Sequence, residues 1–332
     1  MARLRSPGFW LGIALLALVT RAHAYSLIAI HDFRHLVTGN EALTDEQRQY
    51  PALVFEFEGL AFTEDGSLWA SIAADPDGSS RELWKLDLQS RTVESHPHPG
   101  ELLPSFPLSQ YGNPVGLASM GSQLIVGHNF KSFGNLIGSF DPANPSAWNP
   151  MFSLDTATCD EVEGLAYSGG KLYASCQNDG KVLEMDPASG AVSRTFGFQN
   201  QVLGLAETGD GRLVVGTYPG DRELLIFDPS GLRPTESINI HNLFAGAGSA
   251  YHALTGELYS VQVVPSESPR TRPDPDGLAY WNGTIYMSFD GDLRVFEIAT
   301  AVPELKTWTM LLTGLGLIGL VVRRRTTSRL AE

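Results

Sequence analysis

Acidic residues recur at one point of a repeated phrase, and their type and spacing suit a hard cation. The tripeptide Gly-Leu-Ala stands at 59–61, 116–118, 164–166, 204–206 and 277–279. Immediately before the five glycines come Glu58, Val115, Glu163, Leu203 and Asp276, and two positions earlier stand Glu56, Asn113, Glu161, Gln201 and Asp274. Side chains two apart on a strand share a face, so the two rows are expected to point together. Carboxylates and an amide oxygen converging from separate strands are the oxygen donors that calcium takes. Glu58, Asn113, Glu163 and Asp276 are therefore the candidate metal ligands. Acids at strand entries also serve as solvated ends or turn caps, and that reading stands beside the metal one. For moving protons the candidates are Glu163 and His128, which with Asn129 ends a strand on the same expected face; His252 is another.

Other chemistry is missing from the sequence. It has no Gly-x-Ser-x-Gly elbow, His-Glu-x-x-His pair, phosphate loop or dinucleotide fingerprint. Asp75-Pro76-Asp77-Gly78, Asn178-Asp179-Gly180 and Asp290-Gly291-Asp292 are tight-turn sequences before they are binding residues. Cys159 and Cys176 are the only cysteines and form no C-x-x-C. In an exported chain such a pair is read first as a disulfide.

The elements that would position these residues are short strands. Each Gly-Leu-Ala is followed by a turn and a second strand, such as Leu68–Ser71 or Lys171–Ser175. A third strand then ends in Asp, at Asp87, Asp141, Asp186 and Asp228, and a fourth follows. Asp-Pro-x-Ser-Gly, as at 186–190, is turn chemistry, because Asp bonds the backbone ahead of it, Pro fixes φ and Gly accepts a positive φ. Self-similarity at roughly 40–50 residues, built of short strands, predicts an all-β chain folded as a β-propeller. A worn copy at Gly248–Ser260 brings the expected count to six blades, with five blades plus an inserted hairpin as the alternative. The last repeat ends after three strands, so Ser26–Phe33 is expected to supply its fourth and close the ring. Residues 35–50 read as a loop or short helix, and the Pro-rich stretch 265–275 as a loop.

The order of Gly-Leu-Ala copies across residues 55–300 resembles the six-bladed propellers of the NHL-repeat and SMP-30/gluconolactonase-like group. In the latter, the Glu before the first repeat's glycine is a metal ligand, and Glu58 occupies that place. Asn113 and Asp276 match that group's Asn and Asp ligands more loosely. The resemblance implies a calcium-dependent lactonase or esterase with its site at the top of the central channel.

Both ends read as export signals. Arg3 and Arg5 precede an apolar stretch, and Ala22-His23-Ala24 supplies small residues for cleavage, so 1–24 reads as a signal peptide for signal peptidase. At the other end Val302-Pro303-Glu304 leads into the uncharged run 307–322, closed by Arg323-Arg324-Arg325. That run is near the shortest that spans a bilayer, and the arginines orient it with the preceding chain outside. This order of parts resembles the PEP-CTERM sorting signal read by an exosortase, with Leu305 after the Glu. The expected organisation is thus a signal at 1–24, a propeller at 25–301 and a transmembrane sorting segment at 302–332.

The chain carries 23 basic and 37 acidic residues, a net charge of −14, and losing both ends makes the segment between them more acidic still. Such a surface excludes nucleic acid, whose phosphates need Lys and Arg. The expected function is non-catalytic: a surface-sorted propeller that binds a polysaccharide or protein partner in the extracellular matrix. The calcium-dependent hydrolase is the alternative.

Overall fold

The computed structural model describes residues 25–38, 56–73, 82–97, 113–129, 134–218, 223–231, 234–240, 243, 274–289 and 293–300. The chain divides into Leu27–Ala299, which carries the propeller, and a unit made of Met1–Ser26 with Thr300–Glu332. Nearly all of the second unit lies outside the described residues, and with it the expected signal peptide and sorting segment. Among the described residues no helix is long and apolar enough to cross a membrane.

Among the described residues five four-stranded antiparallel sheets make the fold, four of them built in chain order from the channel outward and the fifth closed on its outer edge by the N-terminal strand. Blade 1 contains β2 (Glu56–Phe62), β3 (Leu68–Ala73), β4 (Glu82–Asp87) and β5 (Thr92–Pro97). Blade 2 contains β6 (Asn113–Met120), β7 (Gln123–Asn129), β8 (Asn135–Asp141) and β9 (Asn144–Leu154). Blade 3 contains β10 (Val162–Ser168), β11 (Lys171–Cys176), β12 (Lys181–Met185) and β13 (Val192–Gly197). Blade 4 contains β14 (Gln201–Glu207), β15 (Leu213–Tyr218), β16 (Glu223–Phe227) and β17 (Pro234–Asn239). Blade 5 contains β18 (Pro275–Trp281), β19 (Thr284–Phe289) and β20 (Arg294–Thr300), completed on its outer edge by β1 (Tyr25–Asp32).

The expected closure by the N-terminal strand is therefore present, and its chemistry is explicit. Phe33, fully buried, donates its amide to Leu293 O at 2.9 Å and packs edge-on against Phe57 of blade 1. His31 bridges the seam, with Nε2 2.7 Å from Glu297 of blade 5 and Nδ1 2.8 Å from Leu88 O of blade 1. A one-turn helix, α1 (His35–Thr38), follows where a loop or short helix was expected.

The expectation of six blades is corrected to five. Blade 4 packs directly on blade 5, so no blade can stand between them: the missing side chain of Gly204 is replaced by Asp276 O, and a Cβ on Gly216 would lie 2.5 Å from Pro275 O. The worn copy at 248–260 and most of the Pro-rich stretch lie outside the described residues.

Propeller blades meet through their inner strands, and the repeated glycine sets how closely. A Cβ on Gly116 would lie 2.5 Å from Leu165 N, and one on Gly164 would lie 2.5 Å from Leu205 N. Both obstacles are backbone and cannot swing aside. The aliphatic residues around them fill the gaps between sheets: Val115, Leu165 and Leu172 pack in one buried cluster between blades 2 and 3. Trp69 and Trp84, 2% and 5% exposed, belong to the same kind of inter-blade filling. The expected Asx turns also form, with Asp87, Asp141, Asp186 and Asp228 each accepting a backbone N–H two residues ahead at 2.8–3.0 Å.

Gly164→Ala should lower the unfolding free energy by about 3 kcal/mol, the upper end for overpacking against backbone. Urea denaturation checks this. Gly169→Ala in the exposed hairpin, where a Cβ meets nothing within 4 Å but φ is +57°, should cost only about 1 kcal/mol.

Candidate functional site

Every innermost strand carries a bulge at the same place. Between Phe57 and Gly59, Pro114 and Leu117, Val162 and Leu165, Val202 and Leu205, and Pro275 and Leu278, the register against the second strand shifts by a residue. The shift brackets the residue preceding each repeated glycine. A bulge bends its strand and re-aims a side chain, and here it acts on Glu58, Val115, Glu163, Leu203 and Asp276.

The second strand answers each bulge with either Ser or Gly. Blades 1, 3 and 5, which carry the acids, place Ser71, Ser175 and Ser288 there; blades 2 and 4, which carry Val115 and Leu203, place Gly127 and Gly216. The serines bind blade to blade. Ser71 Oγ donates to Val115 O at 2.5 Å, Ser175 Oγ to Leu203 O at 2.5 Å and Ser288 Oγ to Phe57 O at 3.1 Å. Ser175 Oγ also accepts the Gly164 N–H at 2.7 Å. All three serines are fully buried. Each satisfies a carbonyl that would otherwise lose its water partner on burial. The sequence repeat showed the acids; the Ser/Gly alternation was also visible there but has meaning only once the sheets are paired.

The bulges bring Glu58, Glu163 and Asp276 into mutual electrostatic reach from three blades. Glu163 and Asp276 are each 8% exposed, and Glu58 is half-buried. Burial raises the Glu58 carboxyl well above the ordinary range, the charges of Glu163 and Asp276 add to it, and a hydrogen bond with Glu56 opposes it. Burial likewise raises Glu163, followed by the charges of Asp276, Glu161, Glu56 and Asp160. Glu56 and Glu58 thus meet as the two-residue spacing predicts.

Above the acids lies a polar layer. Glu161 accepts hydrogen bonds from Asn129 Nδ2 and from Asn178 Nδ2 at 3.3 Å, and Gln201 Nε2 donates to Asn178 Oδ1 at 2.9 Å. Asn178 sits in the turn between β11 and β12, so that turn opens on the face where the inner strands begin. Cys159 and Cys176 form a disulfide with Cα atoms 5.3 Å apart, and both are fully buried. It ties the approach to β10 to the end of β11. Asn135 braces the same approach, its Oδ1 accepting Val162 N–H at 2.9 Å and its Nδ2 donating to Cys159 O at 2.8 Å.

The remaining candidates are placed as follows. Asn113 opens β6 and pairs with Asn129 across the sheet. His128 is 4% exposed inside β7, opposite Pro114. His252 lies outside the described residues. The donors are chemically right for calcium, but among the described residues no three acidic, histidine or cysteine side chains form a group that could hold an ion. The arrangement is a ring of mutually repelling carboxylates.

Comparison with known proteins supports the architecture. Glutaminyl cyclase of Myxococcus xanthus superposes with a TM-score of 0.53 at 17% identity, over 82% of this chain and 95% of that one. The PQQ-bound aldose sugar dehydrogenase of Streptomyces coelicolor gives 0.40 at 15% identity, over 74% and 78%. At these identities the first likeness is one of fold, and the second is too loose to bear an argument. No protein-family model and no curated protein matches the sequence. The chain is a five-bladed β-propeller.

The raised carboxyls make a signed prediction. Glu163 takes up its proton more readily folded than unfolded, so its stabilising contribution is complete below the ordinary value of 4.5 and is lost as pH rises toward the folded value. Glu163→Gln should therefore raise stability at neutral pH and flatten the decline above the carboxylate range. Urea midpoints at mildly acidic and mildly alkaline pH measure both.

Proposed function

We propose that this chain is an exported, exosortase-sorted propeller that binds a positively charged partner at the cell surface or in the extracellular polysaccharide matrix. The observation that supports it most is the ring of Glu58, Glu163 and Asp276, whose repulsion and burial a cationic group would relieve. The disulfide suits an oxidising compartment, in keeping with the export signals read at both ends. The sorting reading itself rests on Val302-Pro303-Glu304, the apolar run and Arg323-Arg324-Arg325.

Catalysis is the weaker reading. The serines nearest the acids spend their hydroxyl protons on backbone carbonyls, which removes them as nucleophiles. The calcium-dependent hydrolase of the gluconolactonase-like resemblance would need Glu58, Asn113, Glu163 and Asp276 to gather around an ion. Among the described acidic, histidine and cysteine side chains no group of three is placed to hold an ion, and the Asn113 side chain lies outside the described ones.

The test is cosedimentation of the full chain with an amine-bearing polysaccharide and with neutral dextran. The expected result is retention on the first only, released by salt as exposed charges are screened. The triple variant Glu58→Gln/Glu163→Gln/Asp276→Asn should lose it. Calcium-dependent turnover of lactones or esters, abolished in the same variant, would replace this reading with the hydrolase.

A further inference from the structure

The channel has a second mouth, where the inner strands end, and its chemistry differs from that of the acidic ring. Each inner strand runs on from the repeated glycine through Leu and Ala before reaching the rim. The five leucines, 1–2% exposed, and the five alanines line a cavity of about 420 Å³. The alanines matter because a larger side chain at their position would fill it. Cavities of this size accommodate small organic ligands, for which about 300–1,000 Å³ is usual.

The rim is aromatic and acidic. Phe62, Tyr167, Tyr280 and Trp281 contribute from blades 1, 3 and 5, and all four are half-buried. Phe62 and Trp281 stack across the seam between blades 5 and 1, with ring centroids 5.4 Å apart and planes 21° apart. Glu64 and Glu207 join the lining, and the Glu207 carboxylate is fixed by Gly211 N–H at 2.8 Å. Among the described residues the lining contains no lysine, arginine or histidine.

We propose that this mouth is a separate binding site for a small organic cation, a protonated or quaternary amine carrying a short alkyl body. Aromatic faces attract a cation through their quadrupole, and the two carboxylates add charge of the right sign. The leucine and alanine wall takes the alkyl part out of water. An anion would meet two carboxylates and no cationic side chain among the described lining residues. A neutral ligand would gain nothing from the charge of the two carboxylates.

The test is isothermal titration of the full chain with choline and with its neutral carbon isostere, dimethylbutanol. Choline should bind and the alcohol should bind at least about fivefold more weakly, the scale of one cation–aromatic contact. Tyr167→Leu and Glu207→Gln should each weaken choline by about fivefold while melting like the parent chain. Glu94→Gln on the exposed outer strand of blade 1 should leave the affinity unchanged. Equal binding of the alcohol, unchanged affinity in both rim variants, or no heat up to about 10 mM choline would overturn the proposal. Loss in Glu163→Gln alone would also overturn it, and would place choline among the acids instead.

Discussion

The contact between neighbouring inner strands is the constraint on which the rest of this propeller depends. At Gly116 and Gly164 the next blade's backbone occupies the space that a Cβ would need. Gly59 and Gly204 meet the next blade's backbone in the same way, while Gly277 is filled by the Ser288 hydroxyl of its own blade. The strands are too close for side chains at that level, and the polypeptide answers with a bulge in each inner strand. The residue before the glycine is caught in that bulge. Ring closure and site construction are thus one event: the strand packing that joins the blades also sets the acids at the channel mouth.

The Ser/Gly alternation opposite the bulges shows how the backbone polar groups at this crowded level are handled. Where a serine stands, its hydroxyl reaches the neighbouring blade and replaces the water that the carbonyl gave up. Where a glycine stands, at 127 and 216, the neighbour comes in against it: Pro275 O at Gly216, Val162 and Leu165 at Gly127. Serine bonds therefore run from blade 1 to 2, 3 to 4 and 5 to 1, and glycine contacts fill the other two junctions. Five being odd, two acid-bearing blades must adjoin, and Asp276 of blade 5 comes beside Glu58 of blade 1. This geometry crowds three carboxyls from three blades, and burial together with their mutual charge raises Glu58 and Glu163 above the ordinary carboxylate range.

The two channel mouths inherit opposite characters from one repeated phrase. Residues before the glycine face the acidic entrance, with its polar layer around Glu161 and Asn178. Residues after it form an apolar funnel ending in aromatic rings. The leucines between them, almost wholly buried, separate the two environments. One strand of seven or eight residues thus shapes both mouths, because successive parts of it meet different neighbours around the ring.

Much of the fold was legible in the repeat. Gly-Leu-Ala, the Asp-initiated turns and the unfinished last repeat together specified four-stranded blades and the closing role of the N-terminal strand, because each is a local matter of strand period and turn chemistry. The acids at 58, 163 and 276 were also legible, since the repeat aligns them. The number of blades was not. A degenerate repeat at 248–260 counts as a blade on paper, but the direct packing of Gly204 against Asp276 leaves it no place in the ring. Nor could the sequence show that the acids come within electrostatic reach of one another from three blades, or that the serines opposite them are spent on carbonyls. Local pattern dictates which residues lie on which strand, whereas blade number and site geometry follow from how closely non-local backbones can approach, which only the closed ring decides.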